Sequence, residues 1–240
     1  MKIARFTNFF SMLLLGAFLA GCAGAPQIRA VSKPSENKQQ FLGLKKVAVL
    51  PFTNIGGDKG AEQQVMGILV SELNIRGTFE EVEDPIYVGS VLKSLKLRKI
   101  ENLDVEIIRK MGSEMDAQAL VLGEIHAWGL GNGETAAIKV SITMTLMDTR
   151  TGKPLWMGNG LRRASFTMSR ALGLNEGPTD LEVARDVIIS LVRDLDKQIE
   201  QRRKEELARI QAEEEAKLKA AAEAEKKKQE EAGGETGEEQ

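Results

Sequence analysis

The chain has 240 residues, with 33 basic side chains against 35 acidic ones and a net charge of −2 with histidine neutral. So even a balance supplies no overall field toward nucleic acid. With one cysteine, Cys22, and one histidine, His126, there is no disulfide framework, no thiolate cluster and no multi-histidine metal site, and no cofactor is expected.

Lys2 and Arg5 precede an apolar run over residues 9–20. At about 12 residues the run fits the ~7–15 of a signal-peptide core and falls short of the ~20 that a spanning helix needs. Leu19-Ala20-Gly21-Cys22 closes it with small residues and the cysteine. This resembles the lipobox of bacterial lipoproteins. The resemblance implies cleavage before Cys22, a diacylglycerol on its thiol and an acyl chain such as palmitate on the new amino terminus. Two or more chains hold a protein stably in a bilayer where one holds it marginally. Ala23 stands where well-studied lipoproteins kept in the inner membrane carry Asp, so the resemblance favours the outer membrane, with the protein facing the periplasm.

Residues 1–21 are therefore read as a signal peptide and 22–42 as a flexible tether, polar with Pro26 and Pro34 and without a helical or strand period. Lys45-Lys46-Val47-Ala48-Val49-Leu50-Pro51-Phe52 opens a domain over 43–200. Four successive apolar residues read as a central strand covered on both faces, which Pro51 ends. A glycine-containing loop leads to a helix over 61–76, with Val65, Ile68, Leu69 and Leu73 on one face and Gly77 as its stop. A short strand at 79–82 and a turn at Asp84-Pro85 follow. Val88, Val91, Leu92 and Leu95 mark a second helix, and Val105, Ile108, Met111 and Met115 a third over about 104–115.

Ala119-Leu120-Val121-Leu122 begins another central strand, turned back at Gly129, Gly131 and Gly133. On the returning strand Val140, Ile142, Met144 and Leu146 alternate with Ser141, Thr143 and Thr145, as in an antiparallel sheet with one wetter face. Asp148 to Lys153 form a second turn with Gly152 free for positive φ, and Leu155-Trp156-Met157 starts the partner strand. Residues 158–180 give no clear period. Thr179 or Asp180 caps a long helix with Leu181, Ala184, Ile188, Leu191, Val192, Leu195 and Ile199 on its buried face. Residues 201–240 read as a solvated helical tail, fraying at Gly233-Gly234. The expected fold is α/β: a single mixed-sheet domain of about five strands packed with about four helices, plus the charged C-terminal tail.

Gly56, Gly57 and Gly60 sit between a strand and a helix, where phosphate loops sit. No Gly-Lys-Ser/Thr follows, and Asp58 would face the anion. Gly129, Gly131 and Gly133 lead into a strand, which excludes a dinucleotide fingerprint. Glu124 and His126 share one strand face and could exchange protons, but no nucleophile accompanies them. Trp128 and Trp156 read as core or rim aromatics.

Val47-Ala48-Val49-Leu50-Pro51-Phe52 with Asn54, Ala119-Leu120-Val121-Leu122-Gly123, and Asp148…Thr151-Gly152…Leu155-Trp156 together resemble periplasmic domains of the CsgG/LpoB type, related in fold to the TolB N-terminal domain. The resemblance covers about residues 45–196. Gln118 departs from it, occupying a place where the pattern carries Asp. No catalytic residue is implied, and the chain is read as a non-enzyme. The expected role is a lipid-anchored adaptor, assembly or regulatory factor of a cell-envelope machine, bound to membrane lipid through Cys22 and to an envelope protein partner, with homo-oligomers possible. The alternative within the family is a subunit of an oligomeric secretion channel.

Overall fold

A computed structural model describes residues 25–32, 40–56, 58–97, 100, 103–130, 137–164 and 178–234. Its seven-stranded sheet is built from β1 (Gln27–Ser32), β2 (Lys46–Val49), β3 (Thr53–Asn54), β4 (Glu81–Val82), β5 (Ala119–Ala127), β6 (Ile138–Asp148) and β7 (Pro154–Ala164). The spatial order is β1-β7-β6-β5-β2-β4, with β3 also on β5. Pairs among β2, β3, β4 and β5 are parallel. The β5–β6, β6–β7 and β1–β7 pairs are antiparallel. Four helices complete the described fold: α1 (Ala61–Arg76), α2 (Pro85–Ser94), α3 (Val105–Met115) and α4 (Asp180–Gly234).

The helices start and stop where backbone chemistry directs. Gly77 ends α1 at φ 64°, its N–H donating to the Leu73 carbonyl. Asp84 does more than turn the chain: its carboxylate accepts from Ile86 N at 2.6 Å and caps α2, with Pro85 at the first helical position. Thr179 and Glu182 form a reciprocal capping box at the start of α4. Thr179 N donates to Glu182 Oε2 at 2.8 Å, and Glu182 N donates to Thr179 Oγ1 at 3.2 Å.

The two faces of the sheet are covered unequally. Val140, Ile142, Met144 and Leu146 of β6 meet Val65, Leu69 and Leu73 of α1 and Val187, Leu191 and Leu195 of α4 in one large core. Opposite, α2 and α3 cover β2, the first half of β5 and Met147 near the end of β6, with Ala48, Leu50 and Leu120 packed on Val88, Ile108 and Met111. The rest of that face carries no helix among the described residues.

Three expectations change. The strand count is seven, because the tether region contributes β1 and a short β3 continues the line of β2. Within 158–180, residues 158–164 complete β7. A Cβ built on Gly160 would lie 2.6 Å from Val187 Cγ1, so glycine is what lets α4 lie on this strand. On α4 itself, Leu181 is 38% exposed rather than buried, while Val183 and Val187 join the core.

The charged tail also begins differently from the expectation. The helix runs unbroken past residue 201, and Glu206 is only 3% exposed. Its carboxylate accepts from Phe41 N at 3.0 Å and from Leu42 N at 3.0 Å. Arg203 donates to the carbonyls of Phe41, Leu44 and Thr78. This clasp ties the chain entering β2 to the helix ending the domain. From Glu206 the helix continues to Gly234, about 40 Å at 1.5 Å per residue.

Candidate functional site

The uncovered part of the sheet has an alternating origin. On β6 every second residue turns toward the core, so Lys139, Ser141, Thr143, Thr145 and Met147 turn the other way. The register sets Glu124 of β5, Thr143 of β6, Asn159 of β7 and Arg29 of β1 side by side in one cross-strand row. Thr143 Oγ1 is the hub, receiving a hydrogen bond from Asn159 Nδ2 at 2.9 Å and lying 2.9 Å from His126 Nε2.

Beside the row, where α3 meets the bare sheet, is an open groove of about 550 Å³. Ile108 and Leu103 form its helix side. Leu122, Thr145, Met147 and Met157 form its sheet side, with Glu124 at the rim. Met157 is 48% exposed. Apolar side chains flanked by hydroxyls on a flat face make a surface that can take up another surface.

His126 Nε2 and Glu124 Oε2 are 3.5 Å apart, both partly exposed, on this same face. The structure thus brings the pair together but places it on an open sheet, beside the groove. Gly60 caps α1 at φ 94°. Around this loop Asn54 Nδ2 donates to Asp58 O and to Glu62 Oε2, both at 3.0 Å. The Glu62 carboxyl is held below its ordinary range, first by its own backbone N–H and then by the Asn54 side chain. A carboxylate of the chain thus occupies the anion-favouring end of α1. Trp128 and Trp156 are rim and core aromatics whose indole N–H groups donate to Asp180 and Asp194 at 2.9 and 3.0 Å. Among the described residues no three His, Cys, Asp or Glu side chains gather as a metal site. Cys22, Gly57, Gly131 and Gly133 lie outside the described residues.

Gln118, the departure from the family pattern, has a structural task. Its Oε1 accepts from Lys46 N at 2.7 Å and Lys45 N at 3.3 Å, holding the start of β2 against β5. Next to it Lys46 Nζ lies 2.7 Å from Glu81 and 2.9 Å from Glu83. The Glu81 and then the Glu83 carboxylates hold the Lys46 ammonium well above its ordinary range. This cluster joins β2 to β4. The Arg203–Glu206 clasp carried no distinguishing signal in the sequence, since both residues sit in a run of similar charges.

No family model matches the chain, and no curated protein matches it. Some solved structures are similar to it at a low level. A PelC dodecamer from Paraburkholderia phytofirmans is 18% identical, over 70% of this chain and 95% of that one, with a TM-score of 0.47. Lipoprotein GNA1162 from Neisseria meningitidis is 20% identical over 54% of this chain and 91% of its own, with a TM-score of 0.45. The LpoB C-terminal domain from Escherichia coli is 17% identical over 49% of this chain and 82% of its own, at 0.38. Identities and superpositions at this level carry no property of those proteins over to this chain.

Proposed function

We propose that this chain is a non-enzymatic, lipid-anchored adaptor, assembly or regulatory factor of a cell-envelope machine, facing the periplasm from the outer membrane. Residues 1–21 are the signal peptide, and acylated Cys22 begins the mature protein. The observation that carries the binding role is the bare half of the sheet. A domain in which no described helix covers the row Arg29, Asn159, Thr143 and Glu124 or the adjoining partly apolar groove has, among its described residues, a surface available to a protein partner. Fold likeness alone would not supply that role.

The channel alternative is weaker. Residues 158–164 are committed to β7, where Arg162 pairs with Asp186 of α4. Only thirteen residues separate Ala164 from Pro178. A hairpin that crosses a bilayer needs two strands of about 9–11 residues each, with outward faces free of arginine.

The test combines two readings from native membranes. The mature amino-terminal peptide should carry lipid mass at Cys22, and chemical crosslinking should yield a discrete adduct. That adduct should disappear in a Thr145→Arg, Asn159→Arg double variant, whose changes lie on the bare face and leave the core untouched. A Cys22 peptide without lipid would overturn the anchor, and an adduct indifferent to the double variant would overturn the binding face.

A further inference from the structure

The strand β1 fixes which end of the domain meets the membrane. It pairs antiparallel with β7, with Gln27 opposite Leu161 and Ser32 opposite Trp156. Its first residue therefore lies at the end of the sheet where β5 finishes, β6 starts and β7 finishes, near Ala127, Ile138 and Ala164. Call this the near end. Only Ala23, Gly24, Ala25 and Pro26 separate Cys22 from Gln27. Fully extended, those five steps reach about 17 Å. A lipid on Cys22 can thus stand no farther than that from the near end. A tether running from 22 to 42 would have left the orientation open.

The helix α4 gives the opposite direction. It starts at the near end, where Asp180 accepts from Trp128 Nε1, and crosses the core face. It leaves at the far end, where Arg203 and Glu206 clasp Phe41 and Leu44 ahead of β2. Beyond the clasp it runs on for about 40 Å.

We infer that the near end is a membrane-contact surface, docked on phospholipid headgroups, and that α4 projects from the far end as an arm directed away from the bilayer. The inference rests on acylation of Cys22. Chemistry at the near end suits headgroups. Leu130 is 61% exposed there. Lys139 and Arg163 are direct cross-strand partners on the outward face, and neither has an ion pair among the described residues. Like charges set opposite each other are unfavourable unless an anion lies nearby, which a lipid phosphate provides. Of the described acidic groups at this end, Asp180 accepts from Trp128, Glu182 from Thr179, and Asp186 pairs with Arg162, while Asp58 beside Gly129 is exposed.

The test uses the full lipidated chain in vesicles of phosphatidylethanolamine and phosphatidylglycerol. A donor dye is placed at Leu130→Cys or at Leu218→Cys, both exposed, and acceptor dyes on the lipid headgroups. Acylated Cys22 is a thioether and does not take the dye. The expected result is energy transfer at least threefold stronger from position 130 than from 218. Equal transfer, or stronger transfer from 218, would overturn the orientation while leaving the anchor intact. A chain that does not float with vesicles, and whose Cys22 bears no lipid, would overturn the anchor reading and this inference with it. A third arm inserts about 20 Gly/Ser residues between Cys22 and Gln27, outside the folded elements. Floating should persist while transfer from position 130 falls. Undiminished transfer would mean that something other than the short linker holds the near end down, and would overturn the chain-length argument.

Discussion

Ile142 and Thr143 are neighbours on β6 and share its backbone geometry, yet one is fully buried under α1 and α4 while the other lies half-buried on a bare face. The same contrast repeats along β6 and β7, so a single sheet serves two purposes. Its core face supplies most of the apolar burial that offsets chain entropy. Its other face, beyond α2 and α3, meets no helix among the described residues and adds less to the apolar core. The largest expected effect sharpens that contrast. Ile142→Ala removes a fully buried side chain and should cost about 2–5 kcal/mol in urea unfolding. Thr143→Ala, one residue away, should cost no more than about 1 kcal/mol, since its hydrogen bonds to Asn159 and His126 are exposed. Comparable losses would mean that the bare face is structural.

A second contrast divides α4. Up to Glu206 the helix is part of the domain; beyond it most side chains are solvated. Glu206→Ala leaves the buried N–H of Phe41 and the half-buried N–H of Leu42 without their acceptor, a loss of about 1–3 kcal/mol. For a domain of this size that lowers Tm by roughly 3–10 °C. Ending the chain after Ile210 should leave Tm nearly unchanged, whereas ending it after Gln201, which removes Arg203 as well, should cost at least the Glu206→Ala loss. If both truncations are silent, the clasp carries no stability.

How legible these features were depends on how local their cause is. α1 could be bounded to the residue because Gly60 and Gly77 sit at its ends and its apolar spacing is regular. β6 announced its two faces through the alternation of residues 140–146, and the burial pattern extends it over all eleven residues. β1 was hidden, since six residues with three modest apolar positions find their partner about 130 residues later, in β7. The second half of β7 was hidden by its own glycines. Gly158 and Gly160 weaken strand propensity, and only the tertiary packing explains them: the Trp156 indole and then Leu191 crowd Gly158, and Val187 of α4 crowds Gly160. Arg203 and Glu206 look like every other charge in their run, and nothing local marks the one as half-buried and the other as buried. The open row was legible in part: Glu124 and His126 stood out, while Thr143, Asn159 and Arg29 join them only through the register.

The smallest effects come from pH and act on the edges of the structure. The Lys46 ammonium is raised in the fold by Glu81 and Glu83. Its contribution is therefore fully present below the unfolded lysine value of about 10.4 and fades as pH rises toward the folded one. In Lys46→Met this alkaline loss should be absent. Glu62 and Glu182 are depressed in the fold, Glu62 by its own backbone N–H and Glu182 by the backbone N–H of Thr179. What they contribute is present above about pH 4.3 and fades as pH falls through their folded values. Glu182→Gln should flatten the acid limb of a Tm-against-pH curve slightly, and an unchanged limb would remove the capping box from the account.

The central claim is that the bare face, and not the helical layer, meets the partner. A photo-crosslinking residue is placed in cells at Met157, exposed on the bare face, or at Ser71, exposed on α1. The account predicts a discrete adduct from position 157 and none from position 71. An adduct from 71 alone, or the same adduct from both, would contradict it.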